Sequence, residues 1–451
     1  MGFSLRGLGR WVAVAVALMM PFEATAGLIR DAEIENTLAA YSHPIFTAAG
    51  IDPSSVRIFV VDSPLINAYV AGGLNIFIYT GLIRQAKKPG MLIGVIAHET
   101  GHIAGAHLSQ FEEKSTRATI GSILGALVGA AAIVGGQGQA GMGVIMGSQS
   151  MSQGNLLGEL RLNEASADQA MLTFLDANEI SATGALEMFQ TLRRFESGGQ
   201  TQNQFLSDHP LTADRITAMR NHINSSTIPA DQVPEGFDAM HARMLAKLVA
   251  FTESYETTLA LYPPTDTSVA GRYARAIAEF RHSNLSGALK GMDALIHDFP
   301  NDPFFYDTRG QILFENGKVP EASASYAKAA TLLPDSALIL TEYAKTLIAG
   351  NNPAELGHAL MLLERSKDLD DSYDVTWLQL SLAYGKQGKI GLSYEALAEE
   401  AALRGDYRSV IQYVARARVD AKSDPSLGLT LDDLERDAKS QLENKNDHFR
   451  L

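Results

Sequence analysis

The sequence predicts an α+β domain, mostly helical with a small sheet, followed by an all-α solenoid of stacked helix pairs. Three observations carry that expectation. Short β-branched and aromatic runs between Val56 and Tyr79 alternate with turn residues, as strands do. They lead into an apolar run from Met91 to Leu108 that is long enough for a helix. In the second half of the chain, matching features recur every 34 residues. A length of 451 residues calls for two or three domains, and 46% hydrophobic with 20% charged residues describes a folded chain. The net charge of −14 argues against nucleic acid and against simple electrostatic binding to anionic lipid.

Residues 1–26 resemble a secretory signal. Arg6 and Arg10 precede the apolar run Trp11–Met20, Pro21 breaks it, and Ala24-Thr25-Ala26 supplies a small-x-small cleavage site. An uncleaved anchor is the competing reading. The chain has no cysteine, so disulfides and thiolate ligands are excluded, and export points to a bacterial periplasm.

From Gly27 to Asn224 the chain reads as one domain. A helix is expected over Leu28–Tyr41, a strand over Val56–Val61, and a hairpin of Ala68–Ala71 and Asn75–Tyr79 around Gly72-Gly73. Pro89 suits the first turn of the helix that follows. Residues 118–158 then contain no charged side chain, with Gly121, Gly125 and Gly129 spaced by four. Three readings are open for this stretch: a lid over the site, a membrane-contacting segment, or core packing. Residues 225–240, with Ser225-Ser226-Thr227-Ile228-Pro229 and Val233-Pro234-Glu235-Gly236, read as a linker.

Residues 241–451 form the repetitive part. Pro300 and Pro334 are 34 apart, as are Gly310 and Ala344, and Leu313 and Leu347. Ala322, Tyr326 and Ala329 fall where a tetratricopeptide repeat needs small, aromatic and small residues. Trp377, Leu380, Ser381 and Tyr384 nearly repeat its signature, with Ser in place of Gly. Four units starting near residue 269 are expected, loosened by a short insertion at Asn351-Asn352-Pro353. Stacked units offer a surface to protein partners.

The chemistry lies in His98-Glu99-Thr100-Gly101-His102. On a helix, His98 and His102 share a face and converge on one metal ion, while Glu99 is placed to take a proton from the attacking water. This is the chemistry of peptide hydrolysis by one Zn²⁺ per subunit. A third ligand is needed. His107 lies nine residues after His98, on the opposite side of the helix. Leu108 occupies the position where a three-histidine set would need another His. Glu164 supplies the carboxylate instead, with Asp168 one turn on to hold a ligand imidazole by its second nitrogen. This makes the first domain gluzincin-type.

His98-Glu99-x-x-His102 with Glu164-x-x-Ala167-Asp168 resembles the zinc metallopeptidase family of the CAAX prenyl protease and the heat-shock membrane protease. The lead-in Asn67-Ala68-Tyr69 through Gly72-Gly73, and His209-Pro210 with Arg215, are similar to further signatures of that family. Leu160 departs from it, standing before Arg161 where the family often has an aromatic-Ser pair. The resemblance implies that Asn67, Ala68 and Tyr69 contact substrate. It also brings His209 and Arg215 to the site. They are read as stabilisers of the oxyanion, with His209 alternatively a fourth ligand that holds the enzyme latent, or merely part of a loop capping the next helix. A signal peptide together with C-terminal repeats is similar to an exported type within the family. That likeness implies action on misfolded or assembling outer-membrane β-barrel proteins, with contacts to their assembly machinery through the repeats. The rival function is a chaperone or assembly scaffold with a latched or idle metal site.

Overall fold

The computed structural model describes residues 27–105, 152–197, 205, 209–420 and 424–448. The expected signal peptide, His107, Leu108 and positions 118–151 of the charge-free stretch lie outside the described residues.

The chain opens with a strand where a helix is expected. Asp31 accepts hydrogen bonds from the N–H groups of Glu33 and Ile34, so helix α1 (Ala32–Ala48) starts there. Leu28–Ile29 (β1) is thereby left extended and pairs antiparallel with Val61 and Val60. Strands β2 (Arg57–Val61), β3 (Ala68–Ala71) and β4 (Asn75–Tyr79) complete a sheet of order β1-β2-β4-β3. β2 and β4 run parallel, and β3 folds back on β4 as the expected hairpin. The turn needs left-handed backbone at Gly72 (φ 58°) and Gly73 (φ 91°), which glycine adopts without steric cost. β3 is therefore the outer strand and lies against helix α3.

After α2 (Thr80–Gln85), α3 spans Pro89–Ala104, with Pro89 in its first turn as expected. Every residue from Pro89 to Gly101 is buried, because α1, α4 (Ser152–Ala177), α5 (Thr183–Ser197) and β3 surround it. This explains an apolar run without the one-sided pattern of a surface helix. Helix α6 (Ala213–Ser225) packs against α4 and α5. No described helix is long and apolar enough to cross a membrane.

Helix α7 (Phe237–Thr252) belongs to both halves. Met244 and Leu248 enter the core of the first domain, while Ala246 and Ala250 enter that of the solenoid. α8 (Tyr255–Leu261) leads to four helix pairs: α9–α10 (Val269–Arg281, Leu285–Asp298), α11–α12 (Pro303–Glu315, Val319–Leu332), α13–α14 (Ala337–Ala349, Leu356–Leu369) and α15–α16 (Asp374–Lys386, Ile390–Leu403). The leading helices start at residues 269, 303, 337 and 374. Two steps of 34 and one of 37 reflect the insertion at Asn351–Pro353. α17 (Tyr407–Ala417) and α18 (Pro425–His448) finish the described chain.

Buried charges hold the two halves together. Lys247 Nζ, 1% exposed, lies 2.7 Å from Asp31 Oδ2, and Arg243 Nη2 lies 2.6 Å from Glu33 Oε1. The Tyr273 hydroxyl donates to Glu33 Oε2 at 2.9 Å. Removing one partner of a buried pair costs about 3–5 kcal/mol, because the other charge stays desolvated. The start of α1 is thus fastened to the repeats, with Ala32 packed in one cluster with Leu338 and Tyr373.

Candidate metal centre

α3 places His98 and His102 one turn apart, with their Nε2 atoms 3.2 Å from each other. Facing them, α4 presents Glu164, its Oε2 3.4 Å from His98 Nε2 and its Oε1 3.3 Å from His102 Nε2. The crossing that brings these helices so close depends on Gly101. A Cβ at Gly101 would sit 2.7 Å from the Ala167 carbonyl oxygen and 2.9 Å from Ala167 Cα.

Behind the ligand atoms, His98 Nδ1 lies 3.1 Å from Asp168 Oδ1. A carboxylate at that position suits an Nδ1–H, which would leave Nε2 to bind a metal ion. Arg215, the third residue of α6, holds Asp168 in a fork: Nε donates to Oδ2 at 2.6 Å and Nη2 to Oδ1 at 2.8 Å. Its Nη1 lies 2.8 Å from Glu164 Oε2 and donates to the Pro210 carbonyl at 2.8 Å. All three guanidinium nitrogens are therefore engaged on the far side of the ligands. The expectation of an oxyanion role for Arg215 gives way to one of positioning carboxylates. Asp168 likewise stands behind His98 and not beside the reacting atoms.

His209 is drawn into the cluster itself. Its N–H donates to the Phe205 carbonyl at 2.7 Å, and its ring stacks on Phe205 with centroids 4.6 Å apart. Its Nδ1 lies 3.2 Å from Glu164 Oε1 and 3.4 Å from His98 Nε2, while its Nε2 lies 3.5 Å from Glu99 Oε1. One ligand atom each from His98, His102, Glu164 and His209 falls within 4.8 Å of the others.

These residues fit a zinc ion. Four ligands arranged tetrahedrally at about 2.0–2.1 Å from a centre stand roughly 3.3 Å from one another. Five separations among them, counting either Glu164 oxygen, are 3.2–3.4 Å and lie near that spacing, and one atom from each of the four residues falls within 4.8 Å of the others. Imidazole nitrogens and a carboxylate, all buried but for the half-buried His102, face one another, and a cation among them would satisfy them together.

The crowding of these groups shifts their titration. Burial lowers the His98 pKa, but Asp168 and Glu164 outweigh it and bring it up to about 9. Burial takes His102 down to about 4, with Glu164 opposing. Burial alone would raise Glu164, yet the His102, His209 and His98 rings hold it far below the usual carboxylate range. Asp168 is also lowered against its burial, chiefly by Arg215.

The lead-in residues have a more restricted place. Asn67 and Ala68 are 1% and 0% exposed, and the Tyr69 ring stacks on Phe77 at 5.2 Å. The side chains of Asn67 and Ala68 belong to the core, so what β3 offers outward at this point is backbone. Sequence reasoning passed over Phe189 and Phe205. Phe189 meets His98 edge-on at 5.7 Å and carries Arg215 over its face at 5.6 Å. Two isolated phenylalanines give no sequence signal. Gly101 did offer one, as a glycine inside a buried helix between two ligands.

Residues 30–223 match the profile of Peptidase family M48. Over 431 residues the chain is 23% identical to the beta-barrel assembly-enhancing protease of Yersinia pestis, covering 95% of this chain and 87% of that protein. Over 403 residues it is 23% identical to the protein of the same name from Escherichia coli (strain K12), covering 88% and 81%. A shorter match, 25% over 192 residues, links it to the mitochondrial metalloendopeptidase OMA1 of Saccharomyces cerevisiae, covering 40% of this chain and 51% of that one.

Proposed function

From a chain that is a metallopeptidase with a family M48 domain at residues 30–223, we propose a zinc-dependent endopeptidase of the bacterial periplasm. Its substrates are misfolded or assembling outer-membrane β-barrel proteins, presented by the repeats. The observation that carries the reading is the convergence of His98, His102 and Glu164 with Glu99 on the same helix. The names of the similar proteins and the cleavable leader read in residues 1–26 support the compartment and the substrate class.

His98, His102 and Glu164 would hold the zinc, which when bound supplies a Lewis acid for the scissile carbonyl and acidifies the attacking water. Glu99 accepts the proton of that water and returns it to the leaving amine. Asp168 keeps His98 in the tautomer that binds through Nε2, and Arg215 keeps Asp168 and Glu164 in place. β3 is the edge strand and packs against α3, so its backbone would suit an extended substrate chain added as a further strand.

His209 is the latch in this reading. Its Nδ1 lies 3.2 Å from Glu164 Oε1 and 3.4 Å from His98 Nε2, close enough that it would take a fourth position at a bound metal ion and keep water from it. Cleavage of a urea-denatured porin by purified protein tests the assignment. Glu99→Gln should lose activity by about 10²–10⁴-fold while keeping its zinc. His209→Ala should raise activity. Undiminished cleavage by Glu99→Gln removes the base, and an unchanged or lower rate for His209→Ala removes the latch.

A further inference from the structure

An aromatic row crosses the sheet and ends on its edge strand. Phe59 of β2 stands in register with Phe77 of β4, and Phe77 with Tyr69 of β3. The rings stack in that order, with centroids 5.2 Å apart at both steps and planes within 21° and 15° of parallel. Tyr79 meets Tyr69 edge-on at 6.1 Å. Along their strands these residues alternate with Val60, Ile76, Ile78 and Ala68, which enter the core of the peptidase domain. The row therefore lies on the other face of the sheet, and all three of its rings are half-buried.

Such a row stabilises the strand pairs it joins. Its end on β3 has a second consequence. Among the described residues β3 pairs with β4 alone. The Asn67 carbonyl accepts from the Tyr79 N–H at 3.0 Å, and an antiparallel ladder alternates. Tyr69 thus turns its backbone groups toward β4 as well, whereas Ala68 and Val70 turn theirs outward. A chain added antiparallel to β3 would bond to Ala68 and Val70. Its residue opposite Tyr69 would fall in a non-hydrogen-bonded pair, in which Cα atoms are about 4.5 Å apart and the facing side chains lie closest. That side chain would be the fourth in the row.

The start of β3 adjoins the metal ligands. The Ile66 carbonyl accepts from the Phe205 N–H at 3.1 Å, and the Phe205 ring lies 4.6 Å from that of His209 and 6.4 Å from that of His98. Tyr69 is three residues further on, about 10 Å along the strand. β3 runs away from the ligands, so an antiparallel chain runs toward them. The residue opposite Tyr69 would then precede the bond that is cut.

We infer that Tyr69, backed by Phe77 and Phe59, is a specificity-determining residue that selects an aromatic side chain about two to four residues before the scissile bond. The inference rests on the proposed addition of substrate to β3. Strands of outer-membrane barrels, the substrate class proposed above, carry girdles of aromatic residues and would offer such side chains.

The test uses the full zinc-loaded chain and a library of random dodecapeptides, with the cut sites read by mass spectrometry. Phe, Tyr and Trp should be enriched at about the second to fourth positions before the cut. One well-cleaved peptide is then made in two forms, with Phe or with Leu at the enriched position. The Phe form should have a kcat/KM about three- to ten-fold higher, the worth of one cross-strand aromatic pair. Tyr69→Phe should keep that ratio, and Tyr69→Val should bring it near one. A variant that merely loosens the sheet lowers both rates together and leaves the ratio where it was. No aromatic enrichment before the cut, enrichment only after it, or a ratio that persists in Tyr69→Val would each overturn the inference while leaving the endopeptidase reading intact. Absence of cleavage of any peptide would reject that reading, and the inference with it.

Discussion

Gly101→Ala is the substitution whose effect follows most directly from the geometry. One methyl group would be placed 2.7 Å from the Ala167 carbonyl oxygen, whereas ordinary contact begins near 3.4 Å. Helices α3 and α4 must therefore separate by about 0.7 Å, since the obstacle is backbone and cannot rotate away. Overpacking of this kind costs about 1–3 kcal/mol. For a domain of this size that lowers Tm by about 4–8 °C at the middle of the range. The displacement falls on Glu164, less than one turn from Ala167, while His98 and His102 stay on the other helix. A ligand moved by a large part of an ångström should lower the cleavage rate by about 10–100-fold and weaken zinc binding with it. Tm, zinc per chain by mass spectrometry, and hydrolysis of the denatured porin measure the three effects. Wild-type values for all three would refute the claim that the close approach at Gly101 sets the ligand geometry. Loss of Tm with activity and zinc intact would refute its link to Glu164.

Other outcomes follow from the same structure. Arg215→Met leaves Asp168 and Glu164 buried without their cation, so stability should fall by about 3–5 kcal/mol and zinc affinity by about 10–100-fold; denaturant melts and metal competition read the two separately. Lysine at position 215 should rescue only part of this, because it cannot reproduce the two-nitrogen fork on Asp168. Chelation should abolish cleavage and lower Tm, with zinc restoring both and magnesium neither, as a His₂Glu set requires. Burial and the neighbouring Glu399 raise Glu395 to about 7 from its ordinary 4.5. The folded state therefore holds this proton more firmly than the unfolded chain does. Its contribution to stability is present below about pH 4.5 and is lost as pH rises to about 7. Glu395→Gln should flatten the pH dependence of Tm across that window, and an unchanged slope would place its origin elsewhere.

Much of the site is legible because its information is local. A spacing of four residues on one helix brings His98 and His102 together, and the same spacing on another brings Glu164 and Asp168 together. The solenoid was readable for a related reason. Each unit repeats one helix-pair pattern, so even the three-residue delay before Asp374 follows from the insertion at Asn351–Pro353. Arg215 shows where this kind of reasoning ends. The family resemblance implies a cation for the oxyanion there, but its partners are 47 and 51 positions away in the chain. Spacing cannot report the direction in which a guanidinium points. Leu28–Ile29 was misread on similar grounds, since its strand partner is supplied by Val60 and Val61 and the helix is started by Asp31.

The amino-acid order alone supplies the candidate ligand types, the absence of thiolates, the helix that carries His98 and His102, and the repeating architecture that follows. Each is a matter of residue chemistry or of a short period. The fold adds the relations between segments that no period encodes. It places His209 among the ligand atoms, turns Arg215 onto two carboxylates, and sets Arg30 against Asp370 across 340 residues of chain. It also leaves Arg57–Phe59 of β2 with no strand neighbour on the β1 side among the described residues. These arrangements arise because buried charges and backbone groups must find partners wherever the packed helices bring them together, and distance along the chain plays no part in that choice.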